Sequence, residues 1–204
     1  MARFFSTGMM TLICAFQFSG QQNPPTRSID FRNFTFPFPA EELLGVPAKM
    51  KWMALDLKTT VTLRDGRYDF NKTDPSEGPS IALDRVLYGY LTSSKQLDAV
   101  VVLDYHTGGT AWWSYVYAFD LASNRPKLVG WLQAGSRADF GLYRLEVGNR
   151  SLMVDLLDPG RRQGDCCSDG FVRTRYTFRN GYFVQSGPRE FGTIEASSQK
   201  QSKN

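Results

Sequence analysis

The densest apolar pattern in the chain runs from Leu97 to Leu121, LDAVVVLDYHTGGTAWWSYVYAFDL. Ala99 to Leu103 is an unbroken aliphatic and β-branched run, which predicts a strand buried on both faces. Trp112 to Phe119 is aromatic and β-branched without helical spacing, and it reads as the partner strand. Thr107-Gly108-Gly109-Thr110 separates the two, and adjacent glycines supply the positive-φ backbone that a tight connection needs. This hairpin is expected to be the core of the domain.

The flanking pattern is also of strand type. Phe31-Arg-Asn-Phe-Thr-Phe alternates and predicts a first strand, stopped by Pro37 and Pro39. Glu41 to Leu44 suggests one helical turn, while Met50 to Leu57 is ambiguous between strand and loop. Thr59 to Leu63, a turn at Asp65-Gly66, and Tyr68 to Phe70 read as a short hairpin. Asn71 to Ser80 is loop by composition. Ile81 to Tyr90 could open as a helical turn and continue as a strand into Leu91. Lys127 to Gln133 returns as a strand, and Leu142–Val147 with Leu152–Leu157 flank a turn at Gly148-Asn149-Arg150. Phe171 to Phe178 alternates, setting Val172, Thr174 and Tyr176 inward and Arg173, Arg175 and Thr177 outward. Asn180-Gly181 turns it into Tyr182 to Val184. The sum is a mainly β, single antiparallel domain of about ten short strands with little helix, either a sandwich or a strongly curved sheet.

The ends of the chain differ from this. Residues 1–22 hold one early arginine, an apolar stretch from Met9 to Phe18 and then small and polar residues, the pattern of a secretory signal peptide. That stretch is too short to span a bilayer. Ile13 occupies the place before Cys14 where lipidation requires a small residue. Residues 23–30 read as a polar linker, 31–186 as the β-rich domain and 187–204 as a disordered tail. A periplasmic or secreted location follows. The chain's 204 residues suffice for one real core. Its net charge of +4 comes with dispersed arginines, so no nucleic-acid footprint is expected.

Candidate chemistry is sparse. Cys166 and Cys167 are adjacent in a connection between strands, and they are the only cysteines beyond the leader. They would form a strained vicinal disulfide, bond to other chains or remain thiols. His106 and Asp104 lie at the turn end of the central strand, and with Asp155 and Asp158 they invite a hydrolase reading. No serine sits in a nucleophile-elbow sequence, so no catalytic residue is assigned. One histidine and one cysteine pair make no metal site, and no cofactor is expected. Trp112, Trp113, Tyr115 and Tyr117 alternate faces, so one set is core and the other a candidate aromatic binding strip. Asn33, Asn71 and Asn149 each open an Asn-x-Ser/Thr triplet.

Val86-Leu-Tyr-Gly-Tyr-Leu, Leu97-Asp-Ala-Val-Val-Val-Leu, Gly108-Gly109, Val154-Asp155 and Gly164-Asp165-Cys166-Cys167 before Arg173-Thr-Arg-Tyr together carry a resemblance. They resemble a group of uncharacterised exported bacterial proteins that includes the mycobacterial LppP/LprE-type lipoproteins, over roughly Leu57 to Val184. The adjacent cysteines followed by the Arg- and Tyr-bearing strand are the most specific element. The resemblance implies location and fold class but no reaction. The acidic loop that can hold calcium in such proteins is replaced by Gly89 to Asp98, which lacks the ligands. The expected function is therefore a non-catalytic exported domain that binds an envelope or extracellular partner or a ligand through its loops. The alternative is a thiol-disulfide protein working through Cys166 and Cys167.

Overall fold

The structure, a computed structural model, describes residues 29–38, 59–71, 73–74, 78–93, 95–123, 125–148 and 150–194. A 3-10 turn, Phe31–Asn33, leads into β1 (Thr35–Phe38). There follow β2 (Thr59–Thr62), β3 (Arg67–Asp69), β4 (Ser80–Ser93), β5 (Gln96–His106), β6 (Trp112–Asp120) and β7 (Lys127–Gln133). Next come β8 (Leu142–Gly148), β9 (Ser151–Leu157) and the two-residue strands β10 (Arg162–Gln163) and β11 (Cys167–Ser168). The last strands are β12 (Gly170–Arg179), β13 (Tyr182–Gln185) and β14 (Glu190–Thr193).

Two five-stranded sheets form a β sandwich. The first has the order β3-β4-β5-β6-β7. The second has the order β13-β12-β9-β8, with β14 sharing the outer edge of β12 with β13. All of these pairings are antiparallel. β1 and β2 pair with each other as a separate small sheet.

The central hairpin explains the layering. Along β5 and β6 successive side chains point to opposite faces. Ala99, Val101, Leu103, Tyr115, Tyr117 and Phe119 meet the small β1–β2 sheet through Phe36, Phe38 and Val61. Val100, Val102, Val116 and Ala118 meet Leu145, Leu152, Val154, Leu156 and Tyr176 of the second sheet. The β5–β6 pair is thus covered on both sides, as the unbroken apolar run predicts. The first core is rich in rings, with Phe38 and Tyr115 centroids 4.9 Å apart and those of Phe36 and Tyr117 5.8 Å apart.

Several local expectations are corrected. Phe31 to Asn33 is a 3-10 turn rather than strand, because the Asp30 carboxylate accepts from the Arg32 N–H and caps it. Pro37 sits within β1, where a strand of a two-stranded pair tolerates a missing N–H on its free side. Asp65 and Gly66 do take positive φ (52° and 85°). Yet β2 and β3 join different sheets and meet only at the Arg64–Arg67 bridge, since β2 is needed to cover the first core. Ile81 to Tyr90 holds no helical turn; it lies within the 14-residue β4. Only Gly108 of the glycine pair has positive φ, at 84°. β14 lies in the stretch read as a tail, and it pairs with Gly170 to Arg173. The leader, residues 23–28, the Glu41–Leu44 turn, Met50 to Leu57 and residues 195–204 lie outside the described residues. Among the described residues no helix is long and apolar enough to cross a membrane.

Candidate functional site

The turn end of the central hairpin holds four of the residues singled out by sequence. His106 pairs across the ladder with Trp112, and Asp104 with Ser114. These four side chains lie on the same face of the hairpin as Val100 and Val102. Trp112 is exposed, and the Arg137 guanidinium lies 4.9 Å over its ring. Trp113 faces the other way and packs against the first core, its ring tilted against that of Tyr105 with centroids 6.1 Å apart. With Tyr115 and Tyr117 fully buried, no exposed aromatic strip forms on this strand; Trp112 stands alone.

The acid–base reading of this corner has a specific obstacle. The Ser114 hydroxyl donates directly to Asp104 at 2.6 Å, so the carboxylate is bonded to the serine rather than to the imidazole. Among the described residues no hydrogen bond joins His106 to either group. A serine–histidine–carboxylate relay needs the histidine in the middle. Burial pushes the Asp104 carboxyl above its ordinary range, against the opposing Ser114 hydrogen bond.

Cys166 and Cys167 lie on the connection from β9 to β12, at the opposite end of the β9–β12 pair from the β8–β9 turn. Their sulfurs are at disulfide distance, so the pair is a vicinal disulfide. Cys166 is exposed and Cys167 half-buried. The loop around them is held by other means. Asp158 caps a 3-10 turn, Pro159–Arg161, by accepting from the Gly160 N–H at 2.9 Å. Ser168 is buried; its hydroxyl lies 2.8 Å from the Asp158 carbonyl oxygen and accepts the Gly170 N–H at 3.1 Å. Asp169 accepts from Arg161 Nε at 2.7 Å and from Gln163 Nε2 at 2.8 Å. Gly164 takes positive φ (75°) to reverse the chain between β10 and β11. The disulfide is therefore displayed on a platform that side-chain and backbone bonds define.

Sequence reading missed a third feature beside this loop. Asp155 is 1% exposed although it lies on the outer face of the second sheet. Register sets it between Arg144 of β8 and Arg173 of β12. Arg173 grips it with Nε and Nη2, both at 2.8 Å, and Arg144 Nε adds a contact at 3.0 Å. The Arg173 guanidinium also lies 5.5 Å over the Phe171 ring. The outward arginines of β12 were visible in the alternation, but their carboxylate partner depends on strand pairing. Asp158, the other aspartate of the hydrolase reading, serves only as the turn cap. Thus Asp104, Asp155 and Asp158 are not brought to one place.

Among the described residues no group of three or more His, Cys, Asp or Glu could hold a metal ion. No protein-family model matches the chain, and no curated protein or solved structure matches it.

Proposed function

We propose that this chain is an exported, non-catalytic binding domain that engages an envelope or extracellular partner or ligand through its loops, with the Cys166–Cys167 loop as the main contact. The observation that carries this reading is the display of the pair. An exposed disulfide sits on a loop whose shape rests on Ser168, Asp169 and the Asp158 cap, so the ring adds a hard surface feature rather than the fold's support. A ring spanning one peptide bond closes almost no loop in the unfolded chain and adds little entropic stability. The resemblance to exported bacterial proteins and the leader pattern support the location.

The exposure of Cys166 favours a second reading, a redox-responsive loop, because an attacking thiolate has access to its sulfur. One experiment separates the two. The purified protein is equilibrated in glutathione buffers of graded potential, and its thiols are trapped and counted by mass spectrometry. A bond that stays closed across the poise of the oxidising envelope supports the binding domain. Ready opening and closing within that range supports the redox reading. The location has its own check. Amino-terminal sequencing of the exported protein is expected to begin between Ser19 and Asn23, and an intact Met1 on exported material would overturn it.

A further inference from the structure

The outer face of the second sheet has two ends of different charge balance. Near the disulfide loop, Arg144 and Arg173 close on Asp155. At the far end the same face carries Arg150, Arg175 and Arg179 around a groove of about 340 Å³, floored by Ser151 and Thr177. Among the described residues no carboxylate lies within ion-pair distance of these three arginines.

The groove is a built feature of the sheet. Thr177 pairs with Ser151 across the ladder, and Arg175 and Arg179 flank it two residues away on the same face. Arg150 precedes Ser151 in the β8–β9 turn, with positive φ (56°), and its N–H is tied to the Tyr90 carbonyl of the first sheet. The Ser186 N–H fixes the Arg175 carbonyl at 2.8 Å. Thr177 Oγ1 is shielded from solvent and has no hydrogen-bond partner. On β13, Val184 stands opposite Thr177 and Tyr182 opposite Arg179, so an exposed apolar edge borders the cations.

We infer that this groove binds a phosphate monoester, with its phosphoryl group among Arg150, Arg175 and Arg179 and its organic part against Tyr182 and Val184. Guanidinium groups present forked donors that match phosphoryl oxygens two at a time. Three uncompensated cations suit a dianion better than a single carboxylate. The size of the groove lies at the low end for small-molecule sites, which limits the ligand to a compact ester. The site lies at the other end of the β9–β12 pair from the cysteines, roughly 20 Å away by strand rise, and stands independently of the disulfide loop.

The test is calorimetric titration of the purified protein with phenyl phosphate and, separately, with inorganic phosphate. Saturable binding of phenyl phosphate, tighter than inorganic phosphate and weakened at least tenfold in Arg175→Gln/Arg179→Gln, is the expected result. Arg64→Gln/Arg125→Gln, two exposed arginines in the β2–β3 and β6–β7 turns, is expected to keep full affinity and so controls for the loss of two charges. Arg150→Asn, which suits a positive-φ turn, gives a second weakening variant should the double variant fail to fold. The inference is overturned by no saturable binding, by equal affinity in the arginine variants, or by no preference over inorganic phosphate. Binding to phosphatidylglycerol vesicles without binding to phenyl phosphate would also overturn it, in favour of a lipid surface.

Discussion

Asp104 and Asp155 show how strongly a single carboxylate depends on its surroundings. Burial raises the Asp104 carboxyl, and the Ser114 hydroxyl opposes it. A carboxyl raised in the folded state favours folding in its protonated form. That contribution is complete below the unfolded value of about 3.9 and is lost as pH rises through the folded one. Asp104→Asn keeps an acceptor for Ser114 without the charge. Urea unfolding should therefore find it more stable than wild type at pH 7, with the gain gone below about pH 4. A less stable variant at pH 7 would mean that the charge is better held than its burial implies. Asp155 is the reverse case, since two guanidiniums compensate it. Asp155→Asn should cost about 1–3 kcal/mol, below the figure for a fully buried pair because Arg144 is half in solvent. Both aspartates were plain in the sequence, but the partner of each sits across a strand pair, where spacing along the chain carries no information.

At the scale of elements, turns were the most legible part. Asp65-Gly66 and Asn180-Gly181 take the positive φ that their residue types announce. The Gly108-Gly109 pair divides unequally. Gly108 has positive φ, and a Cβ there would meet the Gly78 backbone at 3.0 Å, whereas at Gly109 the nearest neighbour is Thr107 Oγ1 at 3.6 Å. Gly108→Val should therefore cost more than about 1 kcal/mol, and Gly109→Val much less, as measured by thermal unfolding. Equal costs would show that the turn uses both residues alike. Gly89 was not legible at all, because its role is contact between sheets. A Cβ there would approach Val147 Cγ1 at 2.3 Å, so Gly89→Ala should destabilise by about 1–3 kcal/mol. Trimming the neighbour with Val147→Ala should recover much of that loss in a double-mutant cycle, and no recovery would place the strain elsewhere. The sequence reading carried this strand from Ile81 into Leu91 and opened it with a helical turn, whereas β4 runs from Ser80 to Ser93. Its register shifts between Leu83 and Arg85 and again between Gly89 and Ser93. The buried Asp98 carboxylate accepts the Leu91 and Thr92 N–H groups, both at 2.7 Å, that the second irregularity frees from the ladder. Alternation fails at such places, so the pattern does not show how the strand opens or where it ends.

For the molecule as a whole, the antiparallel β class followed from the repeated strand-and-turn rhythm, and two-sided burial of the central pair followed from its continuous apolar run. The division of strands between sheets did not, because β2 and β3 are neighbours in sequence yet pack in different layers. The binding reading and the vicinal disulfide make one joint prediction. Cys166→Ser/Cys167→Ser should unfold within about 0.5 kcal/mol of wild type, since the loop keeps its hydrogen bonds and the ring closes no long segment. A variant that fails to fold would show that the pair supports the structure.

The covering of the first core by β1 and β2 has a consequence for the order in which the chain matures. Phe36 and Phe38 lie near the beginning of the domain, while Tyr115, Tyr117 and Trp131, against which their core is built, come about eighty or more residues later. Such distant pairings carry a large closure cost before they are rewarded, so folding is expected to be slow and to finish only when both ends of that span are free together. A chain threaded through a membrane pore from its amino terminus would thus stay open until most of it had emerged. A copy starting after β2 would leave one whole side of the central hairpin bare. Its rings would then face water, and self-association is the expected fate of that truncated form.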